Sequence, residues 1–446
     1  MSAPPHEPGD PQKPGDRLSH DDAAILALES DSITGHTLKL VILEPSDGPL
    51  DLEALRASVA ARLASEPRAT QRVDMSGGEP RWVDDEGFDI DRHVRRRGEA
   101  ECLVEADLWR EAGELMSERL DHQRPLWTFD LIGPLADGRE AIAVRIHHAM
   151  ADGISSLRFL GAVLWDLVHA SSEGGSSTGK GSGSSSPRPE PARLSRLAEA
   201  RRLPGALHRE LGGHGVRSPF DRAVGSSREL AFAIAPLSEL RAIGRSRPGH
   251  ATVNDVLLAT VAGGLREWLG SGHEALPQLR AQVPVSLHHR DEGEHELGNR
   301  DSFLNVDLPL DDPDPLGRLD AISAETAQRK QLGDAEELYD LFHALGRFKH
   351  LGRAAERLAG APREFSLSIS NVPGPPAPVS VAGRLVEQLC SASEPAARHA
   401  LRISAISCAG TVGIGLCTDS EALPELPRLA DAIERSFAEL SAAAIG

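Results

Sequence analysis

The sequence has few cysteines, fewer basic than acidic residues and no long apolar run, and each shortage removes a class of protein. Its four cysteines, Cys102, Cys390, Cys408 and Cys417, are scattered with no CxxC pair, which excludes a dense disulfide framework and fits a reducing cytoplasm. Lys and Arg number 48 against 67 Asp and Glu, a formal charge of −19, so broad attraction to nucleic acid is excluded. No segment approaches the roughly 20 apolar residues that span a bilayer. Contact with a membrane or lipid droplet is therefore expected to be peripheral. The opening MSAPPHEPGDPQKPGDR lacks the apolar stretch of a signal peptide, and residues 1–17 read as a disordered tail.

A credible covalent nucleophile is also lacking. Gly175-Ser-Ser177-Thr-Gly179 fits the hydrolase elbow, and Gly174 to Lys180 fits most of a phosphate-binding loop. Neither has the preceding strand and following helix that give those motifs meaning, and Gly181 stands where the second needs Ser or Thr. Both fall in SSEGGSSTGKGSGSSSPRPEP, which cannot bury enough apolar area to offset chain entropy. Residues 171–192 are read as a linker. His288, His289, Asp291, Glu294 and His295 have no regular ligand spacing, and no metal is expected there.

What is present is enough apolar residue, 40% of 446, to build cores in a chain too long for one of them. Residues 18–170 alternate short strand-like runs such as LKLVILE with helical ones such as LEALRASVAARLA and LWREAGELMSERL, which predicts a first α/β domain. Residues 193–225 form a basic connecting segment, with Leu194, Leu197 and Leu203 on roughly one helical face, read as a solvated bridge. Residues 226–446 predict a second α/β domain. It has a helix in TVNDVLLATVAGGLREWL, strands in LRAQVPVSL and FLNVDLPL, and helices between Asp314 and Leu358. A hairpin of LRISAISCAG and TVGIGLCTD follows, then a last helix ending near Leu440.

The chemistry lies in EAIAVRIHHAMADGISSLRFL. It starts as a strand with Ile142, Val144, Ile146 and His148 on one face and Arg145 and His147 on the other. A helix follows, with Ile154, Leu157, Leu160, Leu164 and Leu167 at helical spacing. His148 and Asp152 lie at the junction, with Gly153 directly after. Activating a weak nucleophile needs a base poised near neutral pH, which an imidazole supplies. His148 is the candidate base. Asp152 has two readings, support for the imidazole or the N-cap of the following helix, and the histidine pair could equally be satisfied core residues.

HHAMADG resembles the HHxxxDG signature of bacterial wax ester synthase/diacylglycerol acyltransferases, within the coenzyme A-dependent acyltransferase superfamily. The short motif is shared with peptide-synthetase condensation domains. Pro125-Leu126-Trp127, Asn254-Asp255, VPVSLHHRDEGEHELGNR and SNVPGPP, which contains Asn371 to Pro376, extend the resemblance to nearly the whole chain, from about Leu18 to Leu440. Two places depart from the family pattern. The opening has His20 and Thr34-Gly35-His36 where Pro-containing versions are usual, and ISCAG has Cys408 where Tyr is usual.

The resemblance implies two chloramphenicol acetyltransferase-like α/β domains with the active site in a tunnel between them. It makes His148 the proton acceptor, His147 its neighbour, Asp152 and Gly153 the end of the turn, and Asn254 with Asp255 a pair that shapes the site from the other domain. The activity implied is direct acyl transfer from acyl-CoA, a co-substrate rather than a cofactor, to diacylglycerol or a long-chain alcohol. Two alternatives stay open: an acyltransferase or condensation-type enzyme with a carrier-bound donor or a polyketide, sugar or amine acceptor, and an inactive lipid-binding protein of the same fold.

Overall fold

The computed structural model describes residues 16–98, 102–166, 217–272, 275–286, 301–332 and 365–446. The linker at 171–192, most of the basic segment, the loop at 288–295 and the helix expected beyond residue 332 lie outside them. The first half runs β1 (Asp16–Arg17), α1 (His20–Ala27), β2 (His36–Leu43), α2 (Leu52–Ala60), β3 (Gln71–Asp74) and β4 (Arg81–Asp84). It continues with β5 (Val94–Arg96), α3 (Glu105–Ser117), β6 (Trp127–Ile132), β7 (Glu140–His147) and α4 (Gly153–Val163). The second half runs β8 (Glu229–Pro236), α5 (Leu237–Ser246), α6 (Val253–Gly272), β9 (Gln278–Ser286), β10 (Asp301–Pro309) and α7 (Pro315–Leu332). It ends with β11 (Leu367–Val372), β12 (Ser380–Val381), β13 (Arg384–Ser393), β14 (Leu401–Cys408), β15 (Thr411–Thr418) and α8 (Leu426–Ile445).

Two six-stranded mixed sheets result, ordered β12-β13-β2-β7-β6-β5 and β10-β9-β11-β14-β15-β8, beside a small sheet β1-β4-β3. The expected hairpin is β14–β15, in register from Leu401↔Thr418 to Cys408↔Thr411. The last helix runs a turn past Leu440.

The expected division of the chain needs one correction, because residues 226–446 do not all build the second sheet. β13 crosses over and pairs with β2, with Leu389 opposite Val41 and Ser393 opposite Thr37. It can do so because it runs across a β15 that is free of side chains where the two meet. A Cβ on Gly415 would stand 2.0 Å from the Ser391 carbonyl oxygen, and one on Gly413 2.4 Å from that of Leu389. These distances lie far inside van der Waals contact, so only glycine lets the sheets touch here.

The cores follow the strand alternation. Leu38, Leu40 and Ile42 of β2 pack under α3 with Leu108 and Leu115. Val41 and Leu43 face the other way, with Val144 and Ile146 of β7, Phe159 and Leu160 of α4, and Ile406 and Cys408 of β14. The two halves meet on both faces, through Ile406 and Cys408 of β14 on this second one and through Leu230 of β8 and Cys417 of β15 on the α3 side. Leu401, Ile403 and Ala405, on the opposite face of β14, join α6 and α8 in a separate core.

Candidate active site

The double-histidine turn is held from two sides. The His147 amide donates to the Leu126 carbonyl at 3.0 Å and the His148 amide to that of Gly35 at 2.9 Å. The Pro125-Leu126-Trp127 and Thr34-Gly35-His36 segments therefore grip one residue each. Trp127 pairs with Ile146 across the ladder, donates its indole N–H to Ala69 at 2.8 Å, and lies 5.6 Å from the Phe159 ring of α4. It braces the strand and the helix of the motif together. The grip from the other side begins in the second half of the chain. Glu394, just past β13, accepts from the Gly35 amide at 2.7 Å and from the Thr34 amide and hydroxyl at 2.9 Å.

His147 is buried and committed to structure. Its Nδ1 accepts from the Ala149 amide at 3.0 Å, so the hydrogen-bond network assigns its proton to Nε2, which donates to Glu29 Oε1 at 2.8 Å. His122 donates to the same oxygen at 2.8 Å. Burial alone would push Glu29 up, but the hydrogen bonds from His122 and His147 outweigh it and hold the carboxyl at about 2. Glu29, His122 and His147 are close enough to suggest a metal site. The group does not fit one: a metal on His147 Nε2 would move the proton to Nδ1, where the Ala149 N–H already points.

His148 is different. Its ring has no hydrogen-bond partner among the described residues and keeps some accessible surface, while protein encloses it closely enough that desolvation dominates its titration. Burial first, then the charges of Arg402 and Lys39, push its pKa down to about 3. It is therefore a neutral imidazole at physiological pH, titrating well below the near-neutral range expected from the sequence because burial and two cations disfavour its charged form, with at least one nitrogen free to take a proton.

Asp152 is the N-cap of α4, its Oδ1 accepting from the Ser155 amide at 2.6 Å. No hydrogen bond joins it to His148 among the described residues, so of the two readings open in the sequence its carboxylate performs the cap. Gly153 starts the helix, and a Cβ there would meet Val372 Cγ2 at 3.0 Å. The SNVPGPP strand of the second half thus abuts the end of the motif. Asp255 is also structural. It accepts from the Thr252 amide at 2.8 Å and from the Thr326 hydroxyl at 2.7 Å, tying α6 to α7. Asn254 sits half-buried on the first turn of α6, its side chain without a hydrogen bond among the described residues. Two surface clefts, about 560 Å³ beside Arg266 and Leu310 and about 310 Å³ beside His93 and Arg145, lie elsewhere.

No thiol competes with this arrangement. Burial pushes Cys390 and Cys417 up to about 12 and Cys408 up to about 11, and only Cys102 is exposed. Titration of the native protein with Ellman's reagent is expected to find one fast thiol, with three more after denaturation. Two or more fast native thiols would contradict this packing.

Sequence reasoning missed Glu29, Glu394, Lys39 and Arg402. Lys39 left a trace, as a lysine inside the otherwise apolar run LKLVIL. The others carry no local signal.

Known proteins resemble this chain along most of its length. Residues 18–204 match the wax ester synthase/diacylglycerol acyltransferase catalytic domain, and residues 297–441 match the WS/DGAT C-terminal domain. A putative diacylglycerol O-acyltransferase of Mycobacterium tuberculosis H37Rv, Rv0895, is 30% identical over 454 residues, covering 92% of this chain and 88% of that protein. A probable diacylglycerol O-acyltransferase of the same strain, tgs1, is 29% identical over 437 residues, covering 93% and 94%. Among solved structures, the wax ester synthase/diacylglycerol acyltransferase of Marinobacter aquaeolei VT8 superposes with a TM-score of 0.68 at 25% identity, over 96% of this chain and 99% of that one. The first condensation domain of the calcium-dependent antibiotic synthetase shares the fold at a TM-score of 0.60 and 16% identity, over 98% of both chains. With its double-histidine turn gripped by both halves of the fold, the chain belongs to the wax ester synthase/diacylglycerol acyltransferase family.

Proposed function

We propose that this protein transfers a fatty acyl group from acyl-CoA to the hydroxyl of diacylglycerol or a long-chain alcohol, with His148 as general base. The observation that carries this reading is the state of His148: neutral, its ring without a hydrogen bond among the described residues, and on the face of β7 that packs against Ile406 and Cys408 of the second half. An acceptor hydroxyl supplies the partner that the ring lacks. As its proton passes to the imidazole, the hydroxyl oxygen bonds to the thioester carbon. The carbonyl π pair moves onto oxygen to give a tetrahedral intermediate. Collapse reforms the carbonyl, breaks the C–S bond, and returns the proton from the imidazolium to the departing CoA sulfur. Ester and free CoA are the balanced products, and no acyl-enzyme is needed.

Asp152 and Gly153 position the turn, His147 anchors it, and Asn254, with Asp255 fixing its helix, shapes the site from the second half. Acyl-CoA is a co-substrate and no cofactor takes part. The lipid acceptor is met by peripheral contact at a membrane or droplet surface; among the described residues no helix is long and apolar enough to cross a membrane.

The test is free-thiol release from palmitoyl-CoA by the purified protein with dipalmitoylglycerol or with hexadecanol, and chromatography of the products. One ester per CoA released, dependent on the alcohol, is expected. Transfer only from a carrier-bound acyl group would favour the condensation-type reading. No ester with any acceptor would favour an inactive lipid binder.

A further inference from the structure

Two cations enclosed by the fold, Lys39 buried and Arg402 partly buried, have no part in the mechanism above. Lys39 lies on β2 opposite Val144, on the face that also carries Val41, Leu43, Val144 and Ile146 and, two residues on, His148. Arg402 lies on β14, on the face that carries Ile406 and Cys408, and those two pack into the same cluster. Both side chains therefore enter the interface into which His148 points.

Neither cation is neutralised by contact. Lys39 is 2% exposed, and its ammonium has one partner among the described residues, the Thr37 hydroxyl at 3.3 Å. The guanidinium of Arg402 has no hydrogen bond or ion pair among them, and its Nε is sealed from solvent. The nearby carboxylates are engaged elsewhere, Asp152 on the Ser155 amide and Glu394 on Thr34, Gly35 and Arg228. Withdrawing a charge from water without an ion pair to offset it is destabilising, so stability does not explain the pair. Their charge does act on the site: after burial itself, Arg402 and Lys39 are the largest influences that keep His148 unprotonated. Arg402 and, in opposition, Asp152 are likewise the charges felt by Lys39.

We propose that Lys39 and Arg402 are catalytic cations that bind the oxyanion formed when the alcohol attacks the thioester carbonyl. The ground-state carbonyl is neutral and the tetrahedral oxygen carries a full negative charge, so two fixed cations in a desolvated cleft stabilise the transition state more than the substrate. This inference rests on the transfer reading above.

The experiment compares wild type, Lys39→Met, Arg402→Met and Arg402→Lys in the palmitoyl-CoA assay, with thermal unfolding of each. Each methionine variant is expected to lose about 10²–10³-fold in kcat with KM within about threefold, while Arg402→Lys recovers part of the loss. The acid limb of kcat/KM moves to higher pH as each cation is removed from His148. Melting temperature stays level or rises in the methionine variants, because an uncompensated buried charge has gone; a merely structural pair would give the opposite. A wild type that turns over while the methionine variants keep its kcat, or change only KM, overturns the cationic pair alone. A wild type that transfers nothing overturns the transfer reading and this inference with it.

Discussion

His148→Ala is expected to lower kcat for ester formation by about 10²–10⁴-fold, the usual contribution of a positioned general base, with little change in stability. The stability half of this expectation separates it from an ordinary core substitution. The His148 ring has no hydrogen bond among the described residues and keeps accessible surface, so its removal breaks no network. His147→Ala is the contrasting variant. It removes the bonds to Glu29 and the Ala149 amide, and is expected to lower the urea midpoint as well as activity. Steady-state rates and urea titrations of the two variants check both halves. A His148→Ala enzyme within threefold of wild-type kcat would remove the base from the mechanism.

Gly35→Ala is expected to destabilise the fold by about 3 kcal/mol. Gly35 has φ +77°, and a Cβ there would stand 2.3 Å from His147 Nε2. The left-handed backbone alone costs about 1–2 kcal/mol with a side chain. Displacing the His147 ring breaks a buried charge-assisted hydrogen bond to Glu29 and adds a comparable amount. Gly78 provides the control, with φ +78° and nothing within 4 Å of its Cβ. Gly78→Ala should carry the backbone cost only, so the difference between the two urea midpoints isolates the His147 contact. Equal losses would mean that the ring moves aside freely. Because the Gly35 carbonyl also accepts from the His148 amide, activity should fall with stability in the first variant and hold in the second.

The local elements were legible in the sequence because their signals are local. The strand, turn and helix of the motif, the β14–β15 hairpin and the apolar run of β2 follow from alternation, helical spacing and turn residues. Pro125-Leu126-Trp127 and SNVPGPP were legible as motifs, and the fold supplies their physical roles, a brace across β6 and β7 and an abutment on Gly153. What could not be read is whatever joins distant strands. The crossover of β13 depends on two glycines of β15, and the contact of Glu394 with Thr34 and Gly35 spans some 360 residues. Such contacts leave no periodicity within one segment. Asp152 carried two readings for a related reason: a cap and a catalytic carboxylate look alike in sequence, and only the position of the Ser155 amide separates them. The departures from the family pattern gain an explanation too. Thr34 and Gly35 are the residues that Glu394 binds, and Cys408 fills the core between the sheets.

The most direct measurement is the pH dependence of kcat/KM for the wild-type enzyme, which reports the base of the free protein. With His148 held down to about 3, kcat/KM should stay flat from pH 8 to pH 5. A histidine of ordinary pKa would be half protonated near pH 6.5 and would lose about 30-fold by pH 5. Folding must be followed by circular dichroism at each pH. The unfolded chain takes up a proton at His148 between about pH 6.5 and pH 3 and the folded chain does not, so stability declines as pH falls through that interval. A flat profile over the range where the fold persists is the expected result, and an inflection near pH 6.5 in a folded enzyme would contradict a base kept neutral by burial and by the charges of Arg402 and Lys39.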